Sequence, residues 1–161
     1  KQIRAIDTEV RRLIESDPTF KEMLLLLLSV PGVGLLLASH FILLAQFSLE
    51  YKLLASFLGI APHEHSSGTS VYKPATSRHF GPPAIRKLLY LAACSVCTHR
   101  PQFRTYLARK TQQGKPARLV LNNVENKLIR IMCAVLSSKT AFIESYHSVQ
   151  PLALQKALTV S

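Results

Sequence analysis

Apolar positions along this chain recur mostly at three- and four-residue steps, the spacing of a helix face, and it therefore reads as a series of helices. In residues 1–15, Ile3, Ile6, Val10, Leu13 and Ile14 form one stripe while Arg4, Arg11 and Arg12 stay available to solvent. Asp17-Pro18 then supplies an N-cap and a proline at the first helical position. Ser48 is placed to cap a short helix over 49–58, which Gly59 ends. Helical spacing resumes after Pro82-Pro83, with Ile85, Leu88, Leu89, Leu91, Ala92 and Val96. Pro101 starts another helix with Phe103, Tyr106 and Leu107 inward, and Gly114 stops it. Pro116 opens the longest, 117 to about 136, through Val120, Val124, Leu128, Ile131 and Val135. Between these helices, residues 60–81 show little periodicity and are rich in Ser, Thr, Gly, Pro and His, so they read as one long loop. With no convincing strand pattern, the fold class is all-α.

Residues 23–47 are apolar enough to raise the question of a membrane span, since His40 is their one ionisable side chain. A spanning helix needs about 20 residues in unbroken register. Here Pro31, Gly32 and Gly34 break the register, leaving two short arms, Met23 to Ser29 and Leu35 to Gln46. A buried helix-turn-helix is expected rather than a membrane hairpin. The turn Val30-Pro31-Gly32-Val33-Gly34 resembles a helix-hairpin-helix, in which small residues let backbone N–H groups approach a phosphate at the second helix's N-terminus. Gly32, Val33 and Gly34 are accordingly candidate DNA contacts, with a purely structural corner between helices as the plainer alternative.

Charge adds a partner to this picture. Residues 1–64 carry six Lys/Arg against seven Asp/Glu, whereas residues 65–143 carry thirteen against Glu125 alone, a net of +12. A half so unbalanced repels itself unless it meets a polyanion, so nucleic acid or an anionic membrane surface is the expected partner. The three cysteines, Cys94, Cys97 and Cys133, cannot all pair, and the first 22 residues lack a signal-peptide core. A reducing, cytoplasmic setting is expected. The first residue is Lys1 rather than Met, and a piece of a longer protein is expected.

Candidate chemistry is sparse. Cys94-Ser95-Val96-Cys97 has dithiol spacing but no second ligand pair, and within an apolar helix the thiols read as small core residues. His63-Glu64-His65 lacks a third ligand and reads as loop polarity, so no metal site is assigned. Ser66-Ser67-Gly68-Thr69-Ser70 places hydroxyls in the long loop just upstream of most of the basic residues. A serine attacking phosphate needs a base, a metal or cations around it, and Gly68 permits close backbone approach.

In order, the Pro-Gly-Val-Gly turn, Ala55-Ser56-Phe57-Leu58-Gly59-Ile60-Ala61-Pro62, Ser67-Gly68, Arg86-Lys87-Leu88-Leu89-Tyr90, Gly114-Lys115-Pro116 and Asn126-Lys127-Leu128-Ile129-Arg130 resemble the C-terminal half of one insertion-sequence transposase family. It is the family related to the Piv DNA invertase, and it includes the bridge-RNA-guided recombinases. The resemblance covers about residues 25–140. It implies a helical domain carrying an essential serine, here Ser67 with Ser66 as fallback, that attacks a DNA phosphodiester and forms a transient phosphoserine link. It also implies a separate N-terminal RuvC-like nuclease domain whose four carboxylates hold Mg²⁺. The chain's only aspartates are Asp7 and Asp17, so no cofactor is assigned to this chain and activity alone is not expected. The segment after Ser67-Gly68 offers only Lys73 and Arg78, and Pro82-Pro83 stands where a polar helix start is expected. Lys73, Arg78, Arg86 and Lys87 are the candidates near the scissile phosphate, with Lys115, Arg118, Lys127 and Arg130 further along the basic face. The expected organisation is an amphipathic helix and connector over 1–22, the helical transposase domain over 23–146 and a tail over 147–161. DNA, the nuclease-like domain, a guide RNA and further copies of the full-length protein are the candidate partners. A non-catalytic helix-hairpin-helix nucleic-acid-binding module is the alternative.

Overall fold

The computed structural model describes residues 2–67, 71–77 and 81–144. Seven helices make up most of it: α1 (Gln2–Glu15), α2 (Pro18–Leu28), α3 (Leu35–Ala45), α4 (Tyr51–Phe57), α5 (Pro83–His99), α6 (Pro101–Gln112) and α7 (Ala117–Ser138). Proline opens three of them because its missing N–H costs nothing in a first helical turn. Asp17 adds a side-chain cap to α2, accepting from the Thr19 and Phe20 amides at 2.7 and 3.3 Å. Gly114, at φ 80°, ends α6 in the left-handed conformation that a Cβ disfavours. Ser48 does not cap α4 directly: its hydroxyl accepts from the Glu50 amide, and Glu50 becomes the N-cap.

The α-class stands, with one correction. Residues expected to form a long loop contain an antiparallel hairpin, β1 (Pro62–Ser67) and β2 (Val71–Ser77), with Ser67 paired to Val71, Ser66 to Tyr72 and His65 to Lys73. The register slips at a bulge between His63 and His65. No alternation of apolar and polar residues announces these strands. The local signals are the Ser67-Gly68 turn dipeptide and the β-prone Val71-Tyr72.

The core is shared by α2, α3, α4, α5 and α7. Leu24 and Leu27 of α2, Phe41 of α3, Leu89 and Val96 of α5, and Leu128, Ile129 and Met132 of α7 are all fully buried. Residues 23–47 form α2 and α3 packed on each other across the turn, and no helix among the described residues is long and apolar enough to cross a membrane. The turn is drawn tight against α5: a Cβ on Gly32, at φ 80°, would lie 2.7 Å from Val96 Cγ1 and 2.9 Å from the Ala92 carbonyl oxygen. Helix α1 packs on α2 and α3 through part of its expected stripe only. Ile14 is half-buried, but Ile6 and Leu13 are exposed.

Candidate nucleic-acid site

The hairpin leaves the helical body at a root fixed from both ends. On the incoming side, Gly59 turns the chain at φ 66°, and the Ile60 and Ala61 amides both donate to the Ala55 carbonyl at 3.1 Å. The Ile60 carbonyl then accepts from two α7 side chains, Asn122 at 2.9 Å and Asn126 at 3.0 Å, and Asn126 also donates to the Asn122 carbonyl. On the returning side, Gly81 is buried against Leu58, where a Cβ would come within 2.5 Å of the backbone. Both ends of the hairpin therefore meet at Leu58–Ile60. Ser67 closes the far end of β1, five residues and roughly 16 Å from Pro62 at strand rise.

Of the residues named from the sequence, Arg78 lies outside the described residues, and for Ser66, Ser67 and Lys73 the structure describes the backbone alone. Arg86 closes the first turn of α5 and Lys87 follows it, near the root rather than beside the hairpin tip. Lys115 and Arg118 are exposed at the entry to α7. Lys127 and Arg130 are exposed on its outer side, where each cation lies over a ring: Lys127 Nζ is 5.7 Å from the centroid of Phe103 and Arg130 Cζ 4.5 Å from that of Tyr51. In the turn, the Val33 side chain is buried, whereas Gly34 is the N-cap of α3, with open space around its Cβ position and no side-chain cap.

The feature that sequence reasoning missed lies on the α5–α7 seam. Arg86, Tyr90 and Cys94 follow each other at four-residue steps along α5, and Arg118 and Glu125, seven apart, share a side of α7. Glu125 is 6% exposed, the one buried charged residue among those described. Burial raises its carboxyl to about 7, against the opposing pull of the Arg86 and Arg118 guanidinium groups. Tyr90 interacts with Cys94, and that hydrogen bond raises the phenol above its ordinary value. The signal for Glu125 was present in the sequence, as the only acid in residues 65–143. Asn122 and Asn126 gave none that their contacts with a carbonyl more than sixty residues away could be read from. Helix α6 adds Arg104, Arg109 and Lys110, all cationic and absent from the initial candidates.

Cys97 and Cys133 are core residues, whereas Cys94, expected in the core with them, is only half-buried. Burial raises the Cys97 thiol and pushes Cys133 up to about 11, so both stay protonated at neutral pH. Among the described residues no three His, Cys, Asp or Glu side chains gather where they could hold a metal ion.

Comparison with known proteins converges on one family. Residues 24–108 match the transposase IS116/IS110/IS902 family. The pilin gene-inverting protein of Moraxella lacunata is 28% identical over 149 residues, covering 90% of this chain and 46% of that protein. An uncharacterized 43.6 kDa protein of insertion element IS110 from Streptomyces coelicolor is 29% identical over 148 residues, 90% of this chain and 35% of the relative. A probable family 20 transposase of Pseudomonas aeruginosa is 26% identical, over 88% of this chain and 42% of its own. The chain thus spans less than half the length of these relatives.

Proposed function

The chain belongs to the transposase IS116/IS110/IS902 family, and on that premise we propose that it is the serine-bearing, DNA-handling part of a transposase or site-specific recombinase. The observation that carries this reading is the hairpin: Ser67 is held at the end of β1, on a two-stranded projection from a helical body rich in cations. In the proposed step the Ser67 Oγ attacks a DNA phosphorus. An Oγ–P bond forms, a phosphorus–deoxyribose oxygen bond breaks, and the serine proton passes to a base. The freed strand end is later replaced by another, which reverses the step and releases the serine. Cations are required throughout because the five-coordinate phosphorus carries more negative charge than the diester. Gly34 contributes the uncapped amides of α3, and Lys73, Arg78, Arg86, Lys87, Lys115, Arg118, Lys127 and Arg130 contribute charge along the DNA.

Among the described residues no group of acids gathers where it could hold a metal ion. We assign Mg²⁺ to a nuclease-like companion domain, which this chain also needs to complete its catalytic site. A guide RNA, self-association of the full-length protein and a cytoplasmic setting belong to the same proposal.

The test is capture of the covalent intermediate in a full-length protein that carries this domain. With a nicked or suicide DNA substrate, the adduct should map to Ser67 by mass spectrometry. Ser67→Ala should abolish the adduct while DNA binding persists, and Ser66→Ala should be mild. Survival of the adduct in Ser67→Ala, or its appearance on Tyr72 or Tyr90, overturns the assignment. The open, uncapped α3 N-terminus favours a second reading, a helix-hairpin-helix module that binds DNA without catalysis. That reading gains if DNA is bound and no adduct forms on any residue.

A further inference from the structure

The far end of α7 differs from the rest of that helix. Arg118, Glu125, Lys127 and Arg130 give its earlier turns charge, whereas residues 131–138 contain none. A helix face in water ordinarily carries charge, so an uncharged end calls for cover. Just beyond it Lys139 turns the chain at φ 51°, and residues 140–143 and the last turns of α7 together wall a cavity of about 390 Å³. Ile131, Ala134 and Val135 line it from the helix, and Ala141, Phe142 and Ile143 from the segment that follows. We propose that this groove is the docking site of the chain's own next segment, residues 145–161, seated through Leu154 and Leu158.

The wall formed by residues 140–144 is tied to the body at three points. The Thr140 amide donates to the Val135 carbonyl at 3.3 Å, the Phe142 amide to the Ser29 hydroxyl at 2.8 Å, and Arg100 pairs with Glu144 at 3.4 Å. Ile143 is nevertheless 53% exposed within this fixed wall, and Ala134 of α7 is exposed as well. The Thr140 hydroxyl donates to the Ser138 carbonyl at 3.1 Å, inside its own turn. What the groove presents is therefore mostly hydrocarbon, which suits an apolar occupant better than a phosphate or a polar small molecule.

Position and composition single out that occupant. The described residues end at Glu144, next to Ile143 on the groove, and residues 145–161 lie outside them. In that stretch Lys156 is the one Lys, Arg, Asp or Glu, and Pro151 precedes Leu152, Leu154, Ala157, Leu158 and Val160. Leu154 and Leu158 are four positions apart, the spacing that one helical turn sets on a common face. Leu154 follows Glu144 by ten positions, roughly 33 Å of extended chain and enough to fold back onto the groove. So short a tether presents the segment to the groove at an effective concentration on the order of millimolar, an advantage that a second copy or a free apolar peptide lacks. Docking takes the leucines and Ile143 out of water together.

The experiment places the photo-crosslinker benzoylphenylalanine at Leu154, and separately at Leu158, in the full chain, and maps the products by mass spectrometry. Irradiation should join the segment to Ile131, Ala134 or Ile143 within a single chain. Ala134→Asp should lower that yield by about tenfold, because an unpaired carboxylate in an apolar groove disfavours the docked state. Leu53→Asp, on exposed α4 and outside the groove, should leave it unchanged. Cross-links that fall only outside the groove, that form only between two chains, or that persist undiminished in Ala134→Asp overturn the proposal. Urea unfolding of Ala134→Asp, Leu158→Asp and the double variant supplies a second readout. Each single variant should lower the midpoint, and the double variant should fall no further than the weaker single one, since both changes remove the same contact. Additive losses overturn the proposal. No DNA enters either measurement, so the outcome is separate from that of the covalent-intermediate assay.

Discussion

At the scale of single residues, burial of Glu125 has a consequence for stability apart from any ligand. Its folded value of about 7 lies above the ordinary 4.5, so the folded state holds this proton more tightly than the unfolded chain. The associated stability is fully present below about 4.5 and is lost as pH rises through about 7. Urea midpoints should fall between pH 5 and 8 in wild type and fall less in Glu125→Gln, whose amide has no proton to lose in this range. Gly81 is a second residue with a sharp outcome, because the atoms a Cβ would meet belong to the Leu58 backbone and cannot rotate away. Gly81→Ala should cost roughly 2–3 kcal/mol in a denaturant titration, near the upper end of overpacking penalties. At Gly32 part of the clash is with the Val96 side chain, so the positive φ adds a strain that repacking does not relieve.

Among elements, what was legible in the sequence follows from how local its cause is. Pro18, Pro83 and Pro101 open helices, Gly59 and Gly114 lie just beyond helix ends, and α7 follows its apolar spacing, because each cause lies within a few residues. The hairpin was not legible, since its sequence shows no alternation of apolar and polar residues to read. The outward Ile6 and Leu13 of α1 were misread for the opposite reason: their spacing is helical, but packing on α2 and α3 uses only part of the stripe. For the candidate site, Ser67 was named through the family resemblance and Arg86 and Arg118 as cations of the basic half, while Glu125, Asn122 and Asn126 gain their meaning only once α7 lies against α5 and α4. Asn126→Ala removes one of the two bonds that hold Ile60 at the hairpin root, together with a bond to the Asn122 carbonyl within α7, and should cost about 1–2 kcal/mol in urea unfolding. Amide exchange in β1 should accelerate in the same variant, while exchange in α2 and α3 at the opposite end of the sequence changes less.

Across the whole molecule, charge is divided between a nearly neutral first part and a strongly basic second part, with α6, α7 and the start of α5 holding most of that second part's described cations. Binding to duplex DNA should therefore be salt-dependent with weak sequence preference, the logarithm of affinity falling linearly with that of salt concentration. A slope near zero in an anisotropy titration would rule out backbone neutralisation as the source of affinity. The hairpin root gives this arrangement a mechanical side. Because α7 grips Ile60 through two asparagines while Ser67 lies roughly 16 Å beyond the start of β1, the ribbon is a lever whose fulcrum sits on the same helix as Arg118 and Glu125. A tilt of about 10° at the fulcrum displaces the far end by about 3 Å, comparable to one strand step. Small adjustments of α7 would thus be magnified into a displacement of Ser67, with no need for the ribbon itself to bend.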